Sequence, residues 1–208
     1  MKRIVLTLVL AVVASASAFA QLGIGAGFTN NSQSAADDGK ALVSKGFYVE
    51  GIYNIPIGNV LSIVPGVRYA FSSNGNIRDI KIDDISLADL KASLSEQNIY
   101  VPVMLQCGVP MGNIKLLAFA GPTFQFALSS VLNVAAEVER FSLDKNIDLL
   151  GENGLFKRTD IFVGGGVGVE FGSFQVKAAY DFGLLNRSSN DNRTYKGQQI
   201  RIGAAYLF

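Results

Sequence analysis

The sequence has 208 residues, of which 18 are Lys or Arg, 17 are Asp or Glu and none is His, and 49% are hydrophobic. A chain this close to neutrality has no general attraction for nucleic acid, so no nucleic-acid partner is predicted. Without histidine, catalysis by Ser–His or Asp–His pairs is excluded, and the single cysteine, Cys107, builds no Cys/His metal cluster. We therefore predict no catalytic residues, no cofactor, no metal and no enzymatic activity.

Residues 1–20 have the three parts of a secretory signal peptide. Lys2 and Arg3 supply the positive start, residues 4–13 are apolar, and residues 18–20 read A-F-A, an A-x-A cleavage site. The apolar run is shorter than the ~20 residues that a membrane-spanning helix needs. The predicted organisation is therefore a signal peptide at 1–20 and one domain at 21–208, which carries a net charge of about −1 once Lys2 and Arg3 are removed.

After the signal peptide, the chain divides into segments in which apolar residues alternate with small or polar ones. Side chains of a β-strand point to opposite faces with a period of two, so each such segment predicts a strand. In chain order, the predicted strands cover residues 21–29, 45–56, 60–72, 97–108, 114–127, 158–171, 174–185 and 198–208.

One face of these strands is apolar and often aromatic, whereas the other consists of glycine, alanine and isolated charges. In the last strand Ile202 and Tyr206 share the apolar face, and Arg201 and Gly203 share the other. The face of small residues suits a crowded barrel interior, and the apolar face then requires lipid as its solvent. Transmembrane strands need about 9–11 residues with this alternation, and each of the last three predicted strands is at least that long.

The connections between the predicted strands alternate between long and short. The long ones are residues 30–44, 73–95, 128–157 and 186–197, and the short ones lie at 57–59, 110–113 and 172–173. Short periplasmic turns, longer external loops and an even strand number are typical of bacterial outer-membrane barrels. We predict an all-β fold, an eight-stranded antiparallel up-and-down transmembrane β-barrel with both termini in the periplasm.

Two features leave local structure open. The stretch DISLADLKASLSE, residues 84–96, is compatible with a short helix or with a strand that extends beyond the membrane. Pro65, Pro102 and Pro122 lie inside predicted strands. Because proline cannot donate to the ladder, they predict bulges or irregular pairing.

Outward aromatic residues form two predicted belts, as the two interfaces of a bilayer favour. The periplasmic belt comprises Tyr53, Phe171, Phe174 and Phe208, and the external belt comprises Tyr69, Phe71, Phe124, Phe126 and Phe182.

Six charged residues fall on the inward face by parity: Glu50, Arg68, Glu170, Lys177, Asp181 and Arg201. Charges removed from water must pair, and eight strands enclose an interior just wide enough for side chains to fill. We predict that these residues form a structural charge network that fills the lumen, with a proton or ion path as the alternative. The glycines at 164, 166 and 168 are predicted to thin the inner face where bulky neighbours cross it.

Four segments resemble the outer-membrane β-barrel family common in Bacteroidetes, the PorT-like group, which is OmpX-like in size. They are IYVPVMLQCG (99–108), LLAFAGPTFQFAL (116–128), FVGGGVGVEFG (162–172) and VKAAYDFGLLN (176–186). The resemblance implies the barrel fold and an outer-membrane location, and no shared chemistry. Tyr206 and Phe208 look like the terminal signal that the barrel-assembly machinery reads, although they also suit the lipid face of the last strand.

The predicted function is that of a non-enzymatic outer-membrane barrel with a filled lumen and long external loops, in a structural or surface-binding role. The expected partners are outer-membrane lipid, the barrel-assembly machinery and a protein bound by the external loops. An accessory role in a secretion or transport machine is the alternative that the PorT-like resemblance implies. A soluble lipocalin-like carrier is disfavoured by the apolar outer face and the charged inner face.

Overall fold

The computed structural model describes residues 21–35, 41–77, 81–82, 85–86, 90–138, 141–148, 150, 157–186 and 195–208. The predicted signal peptide, residues 1–20, lies outside the described residues. In the described part of the chain, no helix has the length and apolar character needed to cross a membrane.

Eleven strands lie within the described ranges. They are β1 (Gln21–Ala35), β2 (Ala41–Ile57), β3 (Leu61–Ile77), β4 (Lys81–Ile82), β5 (Ile85–Ser86), β6 (Leu90–Met111), β7 (Ile114–Val138), β8 (Phe141–Asp148), β9 (Thr159–Phe171), β10 (Phe174–Gly183) and β11 (Tyr195–Leu207).

Eight of these strands close into a ring in the order β1–β2–β3–β6–β7–β9–β10–β11, with β11 pairing back to β1. Every pairing in the ring is antiparallel. The prediction of an eight-stranded antiparallel barrel is therefore confirmed. β8 joins the same sheet through β7, and β4 pairs with β5 in a separate two-stranded sheet.

Three tight turns mark one end of the barrel. Gly58, Gly112 and Gly172 have φ values of +77°, +65° and +59°, a region that other residues adopt only with strain. They lie at the predicted short turns, between β2 and β3, β6 and β7, and β9 and β10. Gln21 pairs with Asn54, so the chain enters the barrel at this same end. We name it the turn end, and the opposite one the loop end.

The strands continue past their predicted boundaries at the loop end, which corrects the predicted long connections. β7 runs to Val138 instead of residue 127, and β6 begins at Leu90 instead of residue 97. From Leu90 onward, the stretch read as a helix or a strand is a strand. Outside lipid, an apolar outer face is not required, so the pairing continues on backbone hydrogen bonds where the alternation that predicts strands has faded.

The prolines interrupt the ladders without shifting their register, so of the two predicted alternatives, bulges or irregular pairing, the structure shows irregular pairing. Val64 pairs with Met104, and Arg68 pairs with Tyr100, four residues along on both strands. Irregular pairing is present, because the pairs between Pro65 and Arg68 are missing from this ladder. The register shifts that do occur lie nearer the loop end, one of them between Gln97 and Asn98.

The outer face of the barrel is apolar. Aromatic rings form a continuous row at the turn end, where Phe171, Phe174, Tyr206 and Phe208 contact one another in sequence with centroid distances of 5.9, 5.1 and 5.2 Å. Toward the loop end, the rings of Phe47 and Phe71 lie 5.6 Å apart. Four members of the predicted external belt, Tyr69, Phe124, Phe126 and Phe182, are exposed, and the fifth, Phe71, is half-buried.

Candidate functional site: the barrel interior

The inward side chains are layered along the barrel axis. On the turn side of the charged residues lies an apolar cluster that consists of Ile52, Val64, Met104, Ala205 and Leu207, with Phe119 packed against it, and buried polar side chains such as Asn54, Ser62 and Gln106 lie nearer still to the turns. The five buried residues lie on four different strands and Phe119 lies on a fifth, so the cluster fills much of the lumen at this level.

Four of the six predicted lumen charges form two ion pairs in the next layer. The Nε atom of Arg68 lies 3.1 Å from Oε2 of Glu50, which faces it across the β2–β3 ladder. Arg201 holds Oδ2 of Asp181 with two nitrogens, Nε at 2.8 Å and Nη2 at 2.7 Å. The side chains are almost inaccessible, at 3% and 9% exposure for the first pair and 6% and 1% for the second. At such burial, only paired charges are tolerated.

The remaining two predicted charges belong to neither of these pairs. Glu170 is 3.7 Å from Lys115 and accepts a hydrogen bond of 2.7 Å from Nε2 of Gln175. Nζ of Lys177 lies over the ring of Phe119, 5.9 Å from its centroid. Sequence reasoning missed Lys115, because both faces of residues 116–120 are apolar and parity gives no signal there. The Lys115–Glu170 pairing across β7 and β9 would have identified it.

An aromatic layer lies on the loop side of the charges. Tyr48, Tyr100 and Phe162 are buried together with Ala70. The guanidinium carbon of Arg68 is 5.2 Å from the centroid of Tyr48 and 5.7 Å from that of Tyr100. Arg68 is thus held between its carboxylate partner and two rings whose faces attract a cation.

Glycines on the inner face of β9 leave room for these large side chains. A Cβ atom added at Gly168 would meet Cγ of Lys177 at 2.8 Å, and one at Gly166 would meet Cζ of Phe119 at 2.6 Å. A Cβ atom at Gly164 would collide with Oδ1 of Asp181. Each glycine therefore faces one bulky side chain of β7 or β10. At these positions β9 has no side chain that would occupy the same space.

The layer at the loop end consists of polar side chains. Most of them are neutral, and the charged ones are carboxylates. Nε2 of Gln199 donates to Oδ1 of Asn31 at 2.7 Å, and Nδ2 of Asn31 donates to Oγ of Ser72 at 3.2 Å. A second group joins Nε2 of Gln33 to Glu96 at 3.2 Å. Sequence reasoning missed Asn31 and Gln33 because it placed them in a loop rather than on β1.

Little space is left between these layers. A cavity of about 40 Å³ lies among the charges, and one of about 10 Å³ lies in the polar layer. A void must reach roughly 10–15 Å³ to hold a water molecule. Among the described residues, no three His, Cys, Asp or Glu side chains are grouped so that they could hold a metal ion.

The two residues of the predicted assembly signal lie on the outer face of the last strand. Tyr206 and Phe208 are 39% and 67% exposed, and their rings are 5.2 Å apart. The backbone N–H of Phe208 donates to the carbonyl of Leu22 at 2.8 Å. Their role in assembly stays a prediction.

A family model described as "Outer membrane protein beta-barrel domain" matches residues 4–208. No curated protein matches the sequence. Among solved structures, Ail of Yersinia pestis in complex with the heparin analogue sucrose octasulfate is similar at a TM-score of 0.52 and 15% identity, covering 91% of this chain and 99% of that one. Neisserial surface protein A is similar at a TM-score of 0.46 and 12% identity, covering 90% and 97%. At these identities, the likeness to Ail shows the fold.

We predicted that the chain is not an enzyme. This prediction was wrong, because neither the fold nor the composition supports it. The outer membrane enzyme PagL is also among the similar structures, with a TM-score of 0.49 and 8% identity over 86% of this chain and 98% of that one. The absence of histidine excludes only mechanisms that use histidine. The barrel architecture therefore leaves the enzymatic status of this chain undetermined.

Proposed function

Because the chain belongs to the family of outer membrane protein β-barrel domains, its barrel lies in the outer membrane, and we propose that it binds an external protein through the sheet that projects from its loop end. The projecting sheet consists of the loop-end parts of β6 and β7 together with β8. The proposed binding uses the backbone groups of this sheet. The barrel anchors the sheet in the membrane.

The length of the projection supports this role. Phe126 is 48% exposed and belongs to the predicted external belt, yet β7 continues to Val138. At about 3.3 Å per residue and a tilt of about 40°, residues 127–138 extend roughly 30 Å beyond the belt. β6 accompanies β7 over this length, from Gln97 back to Leu90. A merely structural barrel needs no such extension.

The edge of the projecting sheet carries the proposal. β8 pairs with β7 from Val131–Asp148 to Val138–Phe141. Within the described residues, β8 is the last strand of its sheet, so its other edge is unpaired. Unpaired N–H and C=O groups along a strand form a template on which an extended segment of another protein adds as a further strand.

Adjacent proline substitutions test this edge. Successive N–H groups of a strand point to opposite sides, so Asp144→Pro and Lys145→Pro remove one N–H that faces β7 and one that faces the free edge. Each variant also carries a photo-crosslinking residue at Asn146. We expect wild-type cells to yield a crosslinked external protein, and only the variant that blocks the free edge to lose it while the barrel stays folded. Equal crosslinking by both variants would contradict strand addition.

The same experiment addresses the accessory role in a secretion or transport machine. A crosslinking residue at Asn59, in the turn between β2 and β3, reports partners at the turn end. Adducts at Asn59 and none at Asn146 would favour the accessory role. Membership of the PorT-like, OmpX-like group of Bacteroidetes is proposed on the four resembling segments alone.

Export by a cleaved signal peptide at residues 1–20 is part of the proposal. It is supported by the A-F-A site at residues 18–20 and by the outer-membrane location. N-terminal sequencing of the protein isolated from outer membranes should begin at Gln21.

A further inference from the structure

The cavity of about 40 Å³ in the middle of the barrel has three basic side chains and one acidic side chain in a wall that is otherwise apolar or uncharged. Arg68, Lys177 and Arg201 contribute to its wall, together with Glu50 and the polar groups of Tyr48 and Gln106. By volume it has room for roughly three water molecules, or for one monatomic ion and a water. The apolar cluster lies on its turn side and the aromatic layer on its loop side.

The charges around this cavity do not balance. Glu50 neutralises Arg68, and Asp181 neutralises Arg201. Glu170 is paired with Lys115, so this pair adds no net charge. Within the described part of the chain, Lys177 forms no ion pair, and its ammonium lies over the Phe119 ring. One positive charge is therefore in excess in a region where an uncompensated charge costs several kcal/mol.

A hydrogen-bond donor also lacks its acceptor here. Nη1 of Arg68 is buried and, among the described residues, has no hydrogen-bond partner. Arg68 as a whole is 2% exposed. Its Nε is committed to Glu50 and its plane is held between Tyr48 and Tyr100, so the guanidinium cannot turn to find an acceptor. Oδ1 of Asp181, a buried carboxylate oxygen without a hydrogen-bond partner among the described residues, lies against Gly164, and Asp181 does not line the cavity.

We propose that the central cavity binds one small inorganic anion, such as chloride, between Arg68, Lys177 and Arg201. An anion supplies both missing elements, the negative charge and the acceptor, whereas water supplies only the acceptor. The surrounding oxygen atoms of Glu50, Gln106 and Tyr48 limit the site to a small monovalent ion.

The direct test is anomalous scattering from protein extracted in detergent, refolded and crystallised in sodium bromide. We expect a bromide peak in the cavity, within contact of Arg68 Nη1 and the Lys177 ammonium. A cavity that holds only water density in bromide crystals overturns the proposal. This measurement uses the wild-type chain, so it decides the question even where a variant fails to fold.

A stability measurement tests whether Lys177 is required for anion binding. The protein is unfolded and refolded in urea at equal ionic strength in sodium chloride, sodium bromide or sodium gluconate, whose anion is too large for the cavity. We expect a higher urea midpoint in chloride and bromide than in gluconate for the wild type. The difference should vanish in Lys177→Met and persist in Lys45→Met, which removes an equal charge from an exposed position at the loop end.

Equal midpoints in the three salts for the wild type overturn the proposal, as does a salt effect of the same size in Lys177→Met. Loss of the effect in both lysine variants also overturns it, because the effect would then report net charge instead of a site.

Discussion

Replacement of Asp181 by asparagine should destabilise the barrel far more than the same change at Glu170. Asp181 is 1% exposed and accepts a hydrogen bond from Nε of Arg201, whose Nη2 lies 2.7 Å from the same oxygen, so Asp181→Asn leaves a buried guanidinium without its counter-charge. Loss of one partner of a buried pair costs about 3–5 kcal/mol, and we expect about 3 because the amide oxygen still accepts from Nε. Glu170→Gln breaks a longer pair with a partly exposed Lys115 and should cost about 1 kcal/mol or less.

The free energies are measurable by urea unfolding in detergent micelles, followed by circular dichroism or tyrosine fluorescence, since the chain has 7 Tyr and no Trp. A double variant, Asp181→Asn with Arg201→Gln, replaces the ion pair by a neutral amide pair and should recover most of the loss, to within about 1.5 kcal/mol of wild type. If Asp181→Asn costs no more than Glu170→Gln, or if the double variant is less stable than the single one, Asp181 and Arg201 do not stabilise the barrel as a buried ion pair.

Three further outcomes follow from the geometry. Gly164→Ala should cost about 1–3 kcal/mol in unfolding free energy, because its Cβ collides with Asp181, whereas Gly51→Ala, with open space around its Cβ, should be neutral or stabilise by about 0.4–1 kcal/mol. Val167→Lys, on the lipid face and 64% exposed, should cost about 2–4 kcal/mol, against about 0–1 for Val43→Lys near the loop end; equal costs would contradict the placement of lipid. Planar bilayers should show no steady conductance of porin size, since the apolar cluster fills much of the lumen, and a large persistent current would contradict that filling.

The sequence predicted the membrane-embedded part of the barrel well because lipid imposes a pattern on it. Alternation was strict where one face meets acyl chains and the other a packed lumen, as at Ile200–Arg201–Ile202. The glycine turns fixed neighbouring strands in register, so the Glu50–Arg68 contact follows from the turn at Gly58. Beyond the belt, at Asn31 or Ser95, both faces are polar and the pattern carries no information about the strand.

The sequence predicted which charged residues face the interior, but it did not predict which of them pair with one another. Parity identified the inward charges, yet partner choice depends on how far each strand is staggered against the next. Arg201 faces Ala179 directly and reaches Asp181 diagonally, and its strand is separated from β10 by a long connection. Among the described residues, Lys177 has no ion-pair partner because Glu170 pairs with Lys115. That pairing depends on side-chain geometry, which the alternation of the sequence does not predict.

The glycines of β9 also bear on the fidelity of assembly. A strand is aligned with its neighbours chiefly by side chains that fit one position and clash at another, and a glycine-rich strand has few of them. Gly164, Gly166 and Gly168 would tolerate a slip of two residues against β7 with little local penalty. The tight hairpin at Gly172 and Ser173 removes that freedom on the β10 side. β9 therefore takes its alignment from its own turn, and the β9–β10 hairpin acts as a single pre-aligned unit when it meets β7.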